Sequence, residues 1–159
     1  MGTGSFFGML PEAMAGSRLY GVELDSLTGR MAKQLYPQAD VQVTGFEKTR
    51  YPRDFFDIAV GNVPFGQYRV ADRAYDRYNF PVHDYFFAKT LDKVRPGGII
   101  AFITSKGTMD RQNPAARHYL AQRAELLGAV RLPNTAFKDH AGTEATADIL
   151  FLKKRDRMA

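Results

Sequence analysis

Cysteine is absent from the 159 residues, so disulfides and thiolate metal sites are excluded and a reducing, intracellular setting is permitted. Histidine is sparse: His83, His118 and His140 are too scattered to give a zinc-ligand spacing. No apolar run approaches the roughly 20 residues that a membrane helix requires. Residues Met1 to Gly8 have neither the basic nor the apolar region of a secretory leader. The expectation is a cytoplasmic protein without a bound metal. What is present is ordinary in amount, with 45% apolar residues, enough for one domain with a hydrophobic core. A net charge of +5 and a pI near 9.5 favour encounter with a polyanion without identifying one.

Short β-rich runs alternate with helical stretches, the pattern of an α/β protein with a mostly parallel sheet. Leu19 to Glu23 reads as a strand. Ser26 to Tyr36 reads as a helix, with Asp25 or Ser26 as cap, Leu27, Met31 and Leu35 apolar at helical spacing, and Pro37 as stop. Val41 to Val43 is a second strand. Phe55 to Val60 is a third, apolar except for Asp57 and so expected to be buried on both faces. His83 to Val94 is helical and is ended by Pro96-Gly97-Gly98. Ile99 to Ile103 is a strand, Asn113-Pro114 opens a helix running to about Leu126, and Ala129 to Leu132 and Asp148 to Leu152 are final strands. Gly61 to Pro81 and Ser105 to Asn113 are irregular and follow strand carboxyl ends, where open α/β sheets bind ligands.

The chain begins Gly2-Thr3-Gly4-Ser5-Phe6-Phe7-Gly8, closely spaced glycines of the kind that precede a helix. Closely spaced glycines let the backbone approach a ligand beside free helix-start N–H groups. Glu23 ends the next strand, nineteen residues after Gly4, where an acid can accept hydrogen bonds from both ribose hydroxyls of a nucleoside. A nicotinamide fingerprint needs its third glycine at position 7, where Phe7 stands and Gly8 comes one residue late; this disfavours NAD.

The segment Asp57-Ile58-Ala59-Val60-Gly61-Asn62-Val63-Pro64-Phe65 carries the chemistry. An amino group on a planar base is a poor nucleophile because its lone pair is delocalised into the ring. Two acceptors around its hydrogens hold the nitrogen more tetrahedral and free the lone pair. The Asn62 side-chain oxygen can supply one acceptor and the Val63 carbonyl the other. Pro64 keeps Val63 extended, and Phe65 offers a face on which a flipped base can stack.

This segment resembles the Asn-Pro-Pro-Tyr/Phe motif of amino-methyltransferases, in the adenine-specific group whose glycine-rich motif comes first. Gly2-Thr3-Gly4 with Phe6-Phe7-Gly8 is similar to the end of that family's cofactor motif, and Gly21 to Asp25 to its ribose-binding motif. Pro96 to Ile103 resembles its Gly-Gly strand, and Leu132 to Phe137 with Thr146 to Leu150 its late motif and final strand. Across nearly the whole chain the resemblance is greatest to N6-adenine DNA methyltransferase domains found beside helicase domains in large phage and mobile-element proteins. It implies a Rossmann-like class I sheet with helices on both faces, S-adenosylmethionine as cofactor, and a flipped adenine in DNA as substrate. It further implies that Gly2, Thr3, Gly4 and Glu23 hold the cofactor, with Phe46 stacking on its adenine and Glu47 in polar contact. On the substrate side it implies Phe137 against the base; Tyr68, an aromatic in the loop after the third strand, and Lys106, a cation after the fourth, read as DNA contacts from their own positions.

The chain departs from the family pattern in three places. Val63 replaces the first proline, which keeps the carbonyl but loosens the turn, and Gly45-Phe46-Glu47 stands where the family has an acid ending its third strand. The family also carries a first strand before its glycines, whereas one residue precedes Gly2 here. The expectation is therefore a catalytic core over residues 1–159 that is truncated at its start, lacks a target-recognition region, and is completed by the remainder of a larger polypeptide. His83 and Asp84 read as helix caps, and Arg50, Arg53, Arg69, Arg73 and Arg77 surround the expected active-site mouth, by default as a solvated surface interleaved with Asp54, Asp72 and Asp76 and alternatively as a phosphate track. Three alternatives stay open: methylation of RNA guanine or a protein glutamine, a catalytically idle nucleic-acid-binding piece, and nicotinamide-linked oxidoreduction.

Overall fold

The computed structural model describes residues 1–136 and 146–159. They form two compact units, Met1–Arg50 and Tyr51–Ala159.

The first unit contains a short helix α1 (Ser5–Gly8), strand β1 (Tyr20–Glu23), helix α2 (Ser26–Leu35) and strand β2 (Asp40–Val43). β1 and β2 pair in parallel, with Glu23 opposite Val43. α2 starts where expected because the Asp25 carboxylate accepts from Thr28 N at 2.6 Å, and it ends two residues before Pro37. Its apolar stripe, however, does not face the strands: Leu27, Met31 and Leu35 are exposed, and the buried positions are Gly29 and Ala32. Small residues let the helix approach closely. A Cβ at Gly29 would lie 2.7 Å from a Val43 methyl group. Gly29→Val should therefore destabilise this unit by about 1–3 kcal/mol through overpacking, whereas Leu27→Ala should cost under about 0.5 kcal/mol. Urea unfolding of the two variants tests the contrast.

The second unit is built on strands β3 (Phe56–Asn62), β4 (Val94–Ser105), β5 (Ala124–Arg131) and β6 (Ala147–Lys154), in the order β3-β4-β6-β5. β3 and β4 run in parallel with Asn62 opposite Ile103, and β6 is antiparallel to both of its neighbours. Helix α3 (Val82–Lys93) contributes Tyr85, Phe87 and Leu91 to a core shared with Ile100 and Leu150. Helices α4 (Gly107–Asp110) and α5 (Ala115–Arg123) follow β4, and Asn113 Oδ1 accepts from Ala115 N at 2.9 Å.

Three sequence expectations change here. β3 is the edge of its sheet rather than a strand covered on both faces, and Ile58 and Val60 are 42% and 49% exposed. β4 begins at Val94 and includes Pro96-Gly97-Gly98, accommodated by an irregular register between Phe56 and Ile58. α5 stops at Arg123 because Ala124 already pairs with Lys154, so β5 starts five residues before Ala129. Among the described residues no helix is long and apolar enough to cross a membrane.

The segment after β3 turns back along α3 and is tied to it. Asp72 Oδ2 accepts from Tyr85 Oη at 2.7 Å and from Lys89 Nζ at 3.0 Å, and the Tyr75 hydroxyl donates to Asp92.

Candidate active site

Asn62 is the last residue of β3 and is exposed. The next residue anchors the segment: the Val63 side chain is 4% exposed, and its N–H donates to Ile103 O at 3.0 Å. Alternation along the extended chain buries Val63 while turning Asn62 outward. Neither the Asn62 carboxamide nor the Val63 carbonyl is engaged in a hydrogen bond among the described residues. Two acceptors on consecutive residues therefore stand ready at one strand end. Pro64 and Phe65 follow, both half-buried. Lys106 is exposed just beyond β4, the strand that pairs with β3, so it lies at the same end of the sheet. Tyr68, 52% exposed, lies in the loop after β3, its ring over Gly66. Phe137 lies outside the described residues.

In the first unit the glycine turn and the acid meet. Gly2 and Gly4 have φ of +61° and +97°, left-handed values that a glycine adopts without strain. Gly2 N donates to Glu23 Oε2 at 2.6 Å, Asp25 N donates to Oε1 at 3.0 Å, and the Met1 ammonium donates to Oε2 at 2.9 Å. Burial pushes the Glu23 carboxyl up, but these donors outweigh it and hold the group below its ordinary range. A deprotonated carboxylate beside a glycine turn fits a ribose. Thr3 lies between the two glycines, half-buried. Phe46 and Glu47 form a single helical turn after β2, at the same carboxyl end as Glu23. The Glu47 carboxylate folds over Gly45, in the space where a side chain at that position would stand.

Arg53 precedes β3, and Arg77 shares a cleft with it and with Pro96 and Lys154, residues at the start of β4 and the end of antiparallel β6. These two arginines therefore lie at the end of the sheet opposite Asn62, not around it. His83 and Asp84 cap nothing. Both are buried, with His83 Nε2 3.7 Å from Asp84 Oδ1 and neither His83 ring nitrogen hydrogen-bonded. Burial lowers the His83 pKa and raises that of Asp84. The pair sits beside Gly107, and Thr108 Oγ1 lies 2.9 Å from Thr104 Oγ1 in the same buried patch. A polar pair at a helix start reads as capping in sequence, and nothing in the local pattern signals its burial. Among the described residues no group of three or more His, Asp or Glu could hold a metal.

The profile of the N-6 DNA methylase family matches residues 1–159, the whole chain. The chain belongs to the N-6 DNA methylase family. It is 35% identical over 159 residues to Defense against restriction protein B of Escherichia phage P1, a match covering 96% of the chain and 7% of that protein. The fold matches a Listeria monocytogenes protein, lmo1582, described as a class I S-adenosylmethionine-dependent methyltransferase: TM-score 0.75, 20% identity, 98% of this chain and 51% of that one. It also matches a protein described as a modification subunit of a type I restriction enzyme from Vibrio vulnificus, with TM-score 0.73, 20% identity, 99% of this chain and 39% of that one. The chain thus spans 7% to about half of these relatives. Membership of an N-6 DNA methylase family with the class I fold carries S-adenosylmethionine as the cofactor.

Proposed function

We propose that the chain is the catalytic core that transfers the methyl group of S-adenosylmethionine to the N6 amino group of an adenine extruded from DNA. The observation that carries the reading is the pair of unengaged acceptors, Asn62 Oδ1 and Val63 O, held at the end of β3 by the buried Val63 side chain. When bound, the cofactor supplies an electrophilic methyl group on a sulfonium. Each acceptor takes one hydrogen bond from the amino group, drawing the nitrogen toward a tetrahedral geometry and stabilising the positive charge it gains. With the cofactor bound, Asn62 Oδ1 and Val63 O would hold the amino nitrogen with its lone pair free to accept that methyl group, while one amino proton passes to water. Alignment supplies most of the acceleration. Phe65 stacks on the base, and Tyr68, Lys106 and Phe137 contact DNA around it. The partners are DNA and the remainder of a larger polypeptide, in keeping with the share of the phage relative that the chain spans.

Glu23, with Gly2, Thr3 and Gly4, takes the ribose end of the cofactor, while Phe46 and Glu47 take its adenine end. A carboxylate has about four acceptor directions. The backbone donors Gly2 N and Asp25 N take one direction on each oxygen of Glu23, which leaves one on each for the two ribose hydroxyls. Glu23→Ala is expected to weaken S-adenosylmethionine binding by about 10- to 100-fold, the loss of charge-assisted hydrogen bonds, as read by calorimetry.

The decisive assay is incorporation of labelled methyl groups into DNA, RNA and protein, followed by nucleoside analysis. N6-methyladenine in DNA is the expected product. Label in RNA or protein alone, or none in any of the three, overturns the reading.

A further inference from the structure

A cleft of about 470 Å³ opens in the second unit at the end of the sheet away from Asn62. β3 spans seven residues, so the two ends lie about 20 Å apart at the usual rise per residue. Six cationic and three acidic side chains line it. Two of the acids are already neutralised: Asp92 by Arg53 at 2.9 Å and Asp54 by Lys154 at 2.6 Å. Arg77, Arg123, Arg155 and Arg157 remain, without a carboxylate partner among the described residues and with Asp156 as the sole acid left over. A solvated face interleaves and pairs its charges; this one gathers unpaired guanidinium groups in a concavity.

Two of these groups are set in position. Arg77 lies 4.7 Å from the Tyr78 ring centroid and Arg123 lies 3.6 Å from that of Tyr119. Stacking covers the face of a guanidinium and leaves its N–H edge for a planar or tetrahedral oxyanion. Arg77 spends one N–H on Tyr78 Oη, and Arg123 one on the Tyr119 carbonyl. The rings are themselves occupied. Tyr78 stacks on Phe80 at 5.2 Å and meets Tyr119 edge-on at 4.9 Å. Unpaired bases, which bind single-strand sites by stacking on free aromatic faces, find little here, so the arrangement suits phosphates alone.

We infer that this cleft is a second nucleic-acid contact, binding the phosphodiester backbone of duplex DNA without reading its sequence, at the opposite end of the sheet from the base-holding residues. The inference does not depend on methyl transfer. An adenine-free duplex of guanine and cytosine therefore tests it by itself, with binding followed by fluorescence anisotropy across a salt series. Arg77 and Arg157 are exposed, and the double variant R77Q/R157Q is expected to melt like the parent. It should bind the duplex about tenfold more weakly at low salt, with a log–log salt slope shallower by about 1.8, two phosphate contacts' worth. Arg155→Gln, a second independent variant, should lower the slope by about 0.9. The control R18Q/K33Q, with equal charge removed from the first unit, should leave the slope unchanged. An unchanged slope in R77Q/R157Q, equal loss in the control, or failure of the parent to bind the duplex overturns the inference. So does tighter binding of an adenine-free single strand, or displacement of the duplex by polyglutamate at equal charge concentration, which would assign the cleft to an acidic protein.

Discussion

Asn62→Ala is expected to lower methyl-transfer turnover by about 100- to 1,000-fold, the usual cost of removing one preorganised group that acts on transition-state charge. Affinity for S-adenosylmethionine should stay within about twofold of the parent, because the lost interaction is made to the substrate amino group as charge develops on it. The structure makes this variant clean. Asn62 is exposed, its carboxamide holds no other residue, and the fold at this point rests on the buried Val63 and its bond to Ile103 O. Equal thermal melts of variant and parent, with single-turnover rates and cofactor titrations, separate chemistry from binding. Turnover retained within a few fold removes Asn62 from the chemistry and the proposed mechanism with it.

Asp72→Ala should produce the largest loss of stability, about 3–5 kcal/mol, as expected when the carboxylate facing a buried cation is deleted. The Lys89 side chain is 5% exposed and the Asp72 side chain 14% exposed, with Tyr85 Oη on the same carboxylate oxygen. Burial pushes the Asp72 carboxyl up, but the Tyr85 and Lys89 donors outweigh it and hold the group below its ordinary value of 3.8. The folded form therefore binds its proton less readily than the unfolded chain. The stabilisation is complete above pH 3.8 and is lost as pH falls through the folded pKa. Asp72→Asn should flatten that acid limb of the stability curve as well as lowering its plateau. Urea midpoints at a series of pH values supply both readings, and an acid limb as steep in the variant as in the parent would exclude this group as its source. Because Asp72 lies in the segment after β3, the same variant should loosen the loop that follows Asn62.

Much of the fold was legible from local chemistry. Asp25 before Ser26 announced the start of α2, and the run into Asn62 announced a strand carrying the site at its end. What was not legible depends on partners distant in sequence. Arg123-Ala124-Glu125-Leu126 continues a helical pattern, and only pairing with Lys154 converts it into β5. The apolar run in β3 looks the same whether one neighbour or two flank it. Leu27, Met31 and Leu35 have helical spacing, but spacing does not say which face meets the strands, and Gly29 and Ala32 took that place. In the site, the glycine turn and Glu23 were readable as a pair because their separation fits one turn, one helix and one strand. The five arginines are close in sequence, which by itself suggests one surface. The bond from Tyr75 to Asp92, which turns the chain back along α3, carries Arg77 to the other end of the sheet.

The margin of β3 bears on what can pair with it. An edge strand offers its backbone groups and its side chains to any extended segment that approaches. Here that segment would meet the apolar side chains of Ile58 and Val60 and a single charged residue, Asp57, itself tied to Arg95 at 2.7 Å. One partly neutralised carboxylate is a thin guard against strand-to-strand addition. An extended segment that pairs along this seam, from this polypeptide or another, would therefore gain apolar burial from Ile58 and Val60 as well as a ladder of backbone hydrogen bonds.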